Sequence, residues 1–563
     1  MVKAVWAPLL ALALMLGLSD AGYAGEARFD WFEYQGADPI DAKVILEPGK
    51  YRNPILAGFY PDPSVTRVGD DFYLVNSSFG WLPGLPLFHS RDLVNWTQVS
   101  NAIDRPGMVD VGKGGLTGGL FAPSISHHDG LYYIVNTCFY CGGNYVITAK
   151  DPKGPWFGPV WLPDLGHGID PSLFFDKDGR AWIVNNDLPA GAKEDYEGHR
   201  ALWIQEFDPK NLTTKGPRTM IVNGGVDIAT KPVYVEGPHL YAKDGFYYLT
   251  AAEGGTGPAH AQMIWRSKSP TGPYEPGPVN PILTQRDLSP GRADPVEAAG
   301  HADLVQLPNG DWWAVFLAVR PYAGGEMFNT GRDTFLLPVR WVDGWPRILD
   351  AGSVIPRKAA KPNLKPGNPG LPTTGPMVIR DDFDGPSLAP YWMTPRRLGG
   401  NWHRLADGAL HLIPRPVGLG DRADPSLWAR RQQHMDARFT TELSFTPDRP
   451  GDRAGLAVMQ NDEHWYRLTL ERAADGTRVV RVAVRAGEKQ DKTGKVLATR
   501  PVPATGPVQL RVTARGGAYD FLVSAGPEGW VPVLTGADGT ILSTATAGGF
   551  LGVLAGPYAE AGR

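Results

Sequence analysis

A short phrase returns five times between Asp62 and Val315, and it confines the fold of this chain more than any other feature. It reads DPSVTRVGDDFYLV from Asp62, APSISHHDGLYYIV from Ala122, DPSLFFDKDGRAWIV from Asp170, EGPHLYAKDGFYYLT from Glu236 and HADLVQLPNGDWWAV from His301. Each copy joins an apolar stretch to an aromatic-rich, alternating stretch through an Asp, Asn or Gly turn, which is the pattern of a β-hairpin. The copies start 60, 48, 66 and 65 residues apart. A period slightly longer than a four-stranded unit, repeated five times, predicts a five-bladed β-propeller with long loops between strands. The leading residue of each hairpin then occupies the same place in every blade, at the mouth of the central channel. Around the ring those residues are Asp62, Ala122, Asp170, Glu236 and His301.

The propeller is assigned to residues 50–355, and the remainder of the chain divides around it. The opening 24 residues, MVKAVWAPLLALALMLGLSDAGYA, carry one Lys, an apolar core and a small-residue end. They read as a signal peptide, residues 1–24, which predicts an exported protein, periplasmic or extracellular. No later apolar run is long enough to span a bilayer. The proline-rich stretch at residues 356–377 is expected to be an extended linker without regular structure. From residue 378 to 563 many short alternating runs, such as ARFTTELSF and VQLRVTA, predict a second, all-β domain. A two-sheet β-sandwich of jelly-roll or concanavalin-like type suits them.

Composition excludes several functions. The net charge is -4 with both signs interspersed, which leaves no basic surface for nucleic acid. Cys138 and Cys141 are the chain's two cysteines. Two thiolates are too few for a zinc site, and a pair formed after export or two free thiols both fit the sequence. No loop pattern for a metal ion is present, so no metal is predicted.

Three acidic side chains around one channel mouth cannot all ionise freely. Like charges raise at least one pKa and leave a protonated carboxyl beside a carboxylate, the pair that glycoside hydrolysis requires. Six phrases then carry a resemblance: NPILAGFYPDPSV, HSRDLVNW, GIDPSLFF, YVEGPHLY, GHADLV and GRDTFLLPV, in that order. Together they resemble glycoside hydrolase family 43, in its β-xylosidase and α-L-arabinofuranosidase branch, which carries a C-terminal sandwich. The resemblance implies that Asp62 is the general base, Glu236 the general acid, and Asp170 a residue that orients the acid and raises its pKa. It implies inversion of configuration, no required cofactor, and xylo- or arabino-oligosaccharides as the binding partner. Some members bind a structural calcium ion near the propeller axis.

Further site residues are expected around this set. Arg332, in GRDTF, matches a family arginine that contacts the sugar, and His301 is expected to hold Asp170 or a channel water. Phe79, Trp81 and Phe121 are candidates for the pocket walls, because sugar C–H faces pack on rings. The ADPSLWARRQQH stretch resembles a sandwich loop that reaches over the propeller, which would bring Trp428 and Arg430 to the pocket. The function expected is exo-acting release of xylose, arabinose or both. The alternatives are a non-catalytic, lectin-like propeller and an endo-arabinanase.

Overall fold

The computed structural model describes residues 25–562 apart from residues 290, 323–325 and 368. The signal-peptide assignment therefore lies outside the described residues. Five four-stranded antiparallel blades follow one another in the chain. Blade I is Ser64–Val68, Asp71–Val75, Gly84–Ser90 and Thr97–Ile103. Blade II is Ser124–His128, Leu131–Phe139, Gly143–Ala149 and Phe157–Trp161. Blade III is Ser172–Phe175, Ala181–Asp187, Ala201–Asp208 and Thr213–Asn223. Blade IV is Glu236–Lys243, Phe246–Glu253, Ala261–Ser267 and Glu275–Pro276. Blade V is Glu297–Gln306, Trp312–Val319, Arg332–Val342 and Trp345–Arg347.

Strand alternation explains the ring. A β-strand presents successive side chains to opposite faces, so each blade offers apolar residues to both neighbours. In blade II, Tyr132 and Ile134 pack with Val75 and Leu87 of blade I, while Tyr133 and Val135 pack with Leu173 and Ile183 of blade III. The same division recurs between blades III and IV around Trp182 and Met263, and between IV and V around Tyr248 and Phe316. Full burial of one such side chain stabilises by about 1.5–3 kcal/mol.

The ring closes where residues 53–60 run along the third strand of blade V. Thr334 N–H donates to Leu56 O at 3.0 Å, and Tyr60 N–H donates to Arg332 O at 3.0 Å. Asn53 Nδ2 donates to Leu336 O at 2.9 Å, and Leu336 N–H donates back to Asn53 Oδ1 at 3.0 Å. This pairing delivers Asp62, two residues past Tyr60, to the first residue of that strand.

The second domain is a sandwich of two antiparallel sheets. One sheet orders its strands His403–Ala406, Ala409–Leu412, Ala27–Gly36, Asp436–Ser444, Val508–Arg515, Ala518–Ser524 and Val531–Asp538, with Met377–Asp381 also pairing with Ala27–Gly36. The other contains Leu554–Glu560, Arg453–Asn461, His464–Arg472, Arg478–Ala486 and Lys495–Pro501.

Two sequence expectations change here. The sandwich does not start at residue 378, because Ala27–Gly36, which precedes the propeller in the chain, is an inner strand of its first sheet. The proline-rich stretch is not wholly without regular structure, because Lys358–Ala360 pairs with Lys50–Arg52. Both cysteines are paired in a Cys138–Cys141 disulfide, with Cα atoms 5.1 Å apart.

The two domains share a core of Phe59, Phe79, Trp81, Met393, Leu427, Trp465 and Leu554. Beside it lies a buried ionic knot. Arg320 donates to Asp333 through Nε at 3.0 Å and Nη2 at 2.8 Å, to Gln433 O at 2.9 Å, and to Asp38. The N-terminal segment, the propeller and the sandwich thus converge on one guanidinium.

Candidate active site

The repeat places its leading residues as the sequence implies, and it does so with an unusual backbone. Asp62, Asp170 and His301 have φ of 52°, 55° and 51°. Non-glycine residues in this left-handed region are uncommon, and they concentrate where the surrounding structure imposes a functional direction on a side chain. In blade IV the left-handed residue is Gly237, φ 60°, directly after Glu236. A Cβ at Gly237 would lie 2.6 Å from His301 Nε2, so glycine is required for the imidazole to pack beside the Glu236 backbone.

These residues line one small pocket, with a cavity volume of about 60 Å³. Asp62, Asp170, Glu236, His301 and Arg332 form its floor, Phe79, Phe121 and Phe550 its aromatic walls, and Ala122, Ile169 and Thr256 complete it. Two larger hollows exist, one outside blades I and II near Tyr73 and Lys150, the other at the domain junction. Neither contains any of the ring residues, so size does not identify the chemistry.

Asp62 is held from three sides. Arg332 Nη1 donates to Oδ1 at 2.7 Å and Nη2 to Oδ2 at 3.5 Å, and the Ser77 hydroxyl donates to Oδ2. His301 Nδ1 lies 3.7 Å from Oδ1. His301 thus lies close to Asp62 as well as to Asp170, whose carboxyl oxygen is within 4.8 Å of the ring. Burial lowers the His301 pKa to about 4, so the ring is neutral at physiological pH.

The other two carboxyls titrate high. Confinement by protein pushes Glu236 up to about 7, followed by the charge of Asp62, against a downward pull from Arg332. Burial raises Asp170 well above the carboxylate range, followed by the charges of Glu236 and Asp62. Burial and the charge of Asp62 lead the causes for Glu236, and the repulsion between Asp170 and Glu236 raises Asp170. Asp170 contacts the acid differently, accepting from Gly237 N–H at 3.2 Å and so fixing the peptide that follows Glu236.

Ligating atoms of Asp170, Glu236 and His301 lie within 4.8 Å of one another, close enough in principle to share a cation. Calcium takes about six to eight oxygen ligands. Two carboxyls, one already receiving a backbone N–H, and an imidazole nitrogen supply only part of that set by themselves.

The aromatic expectations divide. Phe79 and Phe121 face the pocket, with ring centroids 5.2 Å apart. Trp81 does not: it is fully buried in the domain junction, where Trp81–Leu82 pairs with Thr394–Pro395. Trp428 and Arg430 also fall elsewhere. Trp428 stacks on Trp402 at 5.7 Å within the sandwich core, and the Arg430 guanidinium lies over Tyr34 at 4.3 Å. The sandwich reaches the pocket instead through Phe550, whose ring stacks on Phe79 at 5.6 Å. Sequence reasoning missed Phe550, which sits in the glycine-flanked stretch GGFLG with no periodic signal. It also missed Ser77, two residues beyond the blade I hairpin.

The arrangement pairs a protonated carboxyl with a guanidinium-bound carboxylate in a small, aromatic-walled pocket. Comparison with known proteins agrees with that chemistry. Residues 51–346 match the model of glycosyl hydrolases family 43, and residues 380–562 match the β-xylosidase C-terminal concanavalin A-like domain. The chain belongs to glycosyl hydrolase family 43. This family 43 glycosidase is 37% identical over 527 residues to a non-reducing end α-L-arabinofuranosidase of Bacteroides ovatus, covering 92% of this chain and 93% of that one. It is also 37% identical to a xylosidase/arabinosidase of Butyrivibrio fibrisolvens, covering 90% and 95%. Among solved structures, a family 43 protein retrieved from a capybara gut metagenome superposes with a TM-score of 0.87 at 36% identity, covering 95% of this chain and all of that one. Among the described residues, no helix is long and apolar enough to cross a membrane.

Proposed function

We propose that this glycosidase is exo-acting and inverting, and that it releases xylose, L-arabinose or both from non-reducing ends or side chains of hemicellulose oligosaccharides. The observation that carries the mechanism is the Glu236 carboxyl, raised to about 7 in the same pocket as the Arg332-bound Asp62. Asp62 acts as general base and takes a proton from water. The water oxygen attacks the anomeric carbon as the glycosidic C–O bond breaks, and Glu236 delivers its proton to the departing oxygen. Single displacement inverts the anomeric centre. Asp170 positions the acid through Gly237, and His301 and Arg332 position the base.

The pentose assignment rests on two relatives, an arabinofuranosidase and a xylosidase/arabinosidase. Exo action is supported by the pocket's size and by Phe550, which closes one side of it from the second domain. The apolar opening of the chain supports export.

Nitrophenyl β-D-xylopyranoside and α-L-arabinofuranoside are the test substrates, with Glu236→Gln as the control and the first-formed anomer followed by proton NMR. Turnover with an inverted product is expected. A wild type as inert as Glu236→Gln, yet able to bind xylo-oligosaccharides, would favour the lectin-like alternative.

A further inference from the structure

The aromatic wall does not stop at the pocket. Phe121 stacks on Phe139 with centroids 4.6 Å apart, and Phe139 meets Tyr140 edge-on at 4.4 Å. An unbroken line of rings therefore runs from Phe79 and Phe550 out to Tyr140, which is 67% exposed. Three features hold that exposed ring in place. The Cys138–Cys141 disulfide closes the turn that carries it, and Cys141 N–H donates to Cys138 O at 3.1 Å. Tyr140 has φ of 64°, a conformation that a bulky residue keeps when its surroundings impose it. Part of its ring lies against Gly114, where a Cβ would come within 2.8 Å of Tyr140 Cδ2.

Tyr140, Gly114 and Thr117 form one wall of the groove at the domain junction, and Asn461 and Gly549 of the sandwich form part of the other. The walls of this groove adjoin those of the pocket in the chain. Gly549 precedes Phe550, and Leu116 O accepts from Gly80 N–H, next to Phe79. Core packing does not account for a tyrosine held outward in this way, since most of its surface stays in water.

We propose that Phe139 and Tyr140, fastened by the Cys138–Cys141 bridge, form a stacking platform for the sugar units on the leaving-group side of the cleaved bond. The junction groove then takes the remainder of a pentose oligosaccharide while its terminal unit occupies the pocket. Pyranose C–H faces pack on aromatic rings, and Asn461, Lys113 and Arg422 along the groove offer donors to hydroxyls. This inference rests on the glycosidase reading above.

The test compares Tyr140→Ala and Tyr140→Phe in the full chain. The measured quantity is kcat/KM for a linear pentose tetrasaccharide divided by kcat/KM for the matching pentosyl fluoride, whose leaving group is too small to reach the platform. Tyr140→Ala is expected to lower this ratio about tenfold, and Tyr140→Phe to keep it near the wild-type value. Cys138→Ser/Cys141→Ser should move it in the same direction as Tyr140→Ala. An unchanged ratio in Tyr140→Ala, with fluoride turnover persisting, overturns the platform and leaves the glycosidase reading standing. A wild type inert on both substrates overturns both.

Discussion

Arg332 grips Asp62 through two nitrogens, Nη1 to Oδ1 at 2.7 Å and Nη2 to Oδ2 at 3.5 Å, although 270 positions separate them in the chain. They meet because residues 53–60 lie along the strand that Arg332 begins, so closing the propeller also assembles the base. The guanidinium centre sits 5.7 Å from both the Phe79 and Phe550 rings, which places it against each domain's contribution to the wall. A buried ion pair adds little net stability compared with well-packed apolar residues. What a two-point grip supplies is direction.

Arg332→Lys should therefore cost activity far more than stability. Lysine keeps the charge but presents one point rather than a planar fork. A misdirected base loses on the order of a hundredfold in rate. Steady-state kinetics and thermal melts together check this: kcat/KM should fall about that far while Tm changes by a few degrees. Wild-type kinetics in Arg332→Lys would show that charge alone suffices.

The neighbouring ionic knot predicts the opposite balance. Arg320→Ala leaves Asp333 and Asp38 buried without their guanidinium, at 0% and 5% exposure. Breaking a buried pair by removing one partner costs about 3–5 kcal/mol. A large drop in Tm and loosening of the sandwich from the propeller, read by limited proteolysis, are expected. An unshifted Tm would mean that water reaches these carboxylates.

The propeller was legible because its information is local and repeated. A hairpin announces itself within about fifteen residues, and five copies fixed Asp62, Asp170, Glu236 and His301 at equivalent points of the ring. What escaped is what depends on pairing distant segments. Ala27–Gly36 alternates like any strand, and nothing in it says that its partners lie at 409–412 and 436–444. Trp81, Trp428 and Arg430 looked like pocket residues by type and context. An aromatic ring suits a core and a sugar site equally, and the neighbours it packs against decide between them: Phe79 is as buried as Trp428, yet only Phe79 borders the pocket. Phe550 reaches the pocket through the junction of two domains, which no periodicity records.

That division of aromatic roles is directly measurable. Phe550→Ala removes a pocket wall and should lower kcat/KM by about tenfold or more, since a stacking ring contributes up to about 1.5 kcal/mol beyond the area it buries. Its Tm should move little. Trp428→Ala hollows the sandwich core, and deleting a buried Trp costs about 3–5 kcal/mol. Kinetics at a temperature where both variants are folded separate the two. Equal activity losses there would return Trp428 to the substrate site.

Glu236 should also leave a signature in stability. Its folded pKa, about 7, lies above the ordinary glutamate value of 4.5. A group raised in this way contributes stability that is fully present below the unfolded value and is lost as pH rises through the folded one. Glu236→Gln cannot ionise and escapes that loss. Relative to wild type, the variant should gain on the order of 2 kcal/mol between pH 5 and pH 8. Melting curves at the two pH values check this. A constant difference between wild type and variant would place the Glu236 pKa at an ordinary value in both states.

The same carboxyl sets the basic limb of the activity profile, because leaving-group protonation requires Glu236 in its acid form. Rate should fall as pH rises through about 7. Burial leads the causes of that pKa and the charge of Asp62 follows. Asp170 is itself raised well above the carboxylate range, by burial first and then by Glu236 and Asp62, which disfavours its charged form. Asn carries no charge and keeps the shape of the neutral acid. Asp170→Asn should leave the basic limb near its wild-type position and retain much of the rate, because an amide oxygen still accepts from Gly237 N–H. Asp170→Ala removes that acceptor and should fall at least about tenfold further, as the peptide behind the acid loses its anchor. A basic limb displaced by about one unit toward lower pH in Asp170→Asn would instead identify Asp170 as a charged neighbour that tunes the acid.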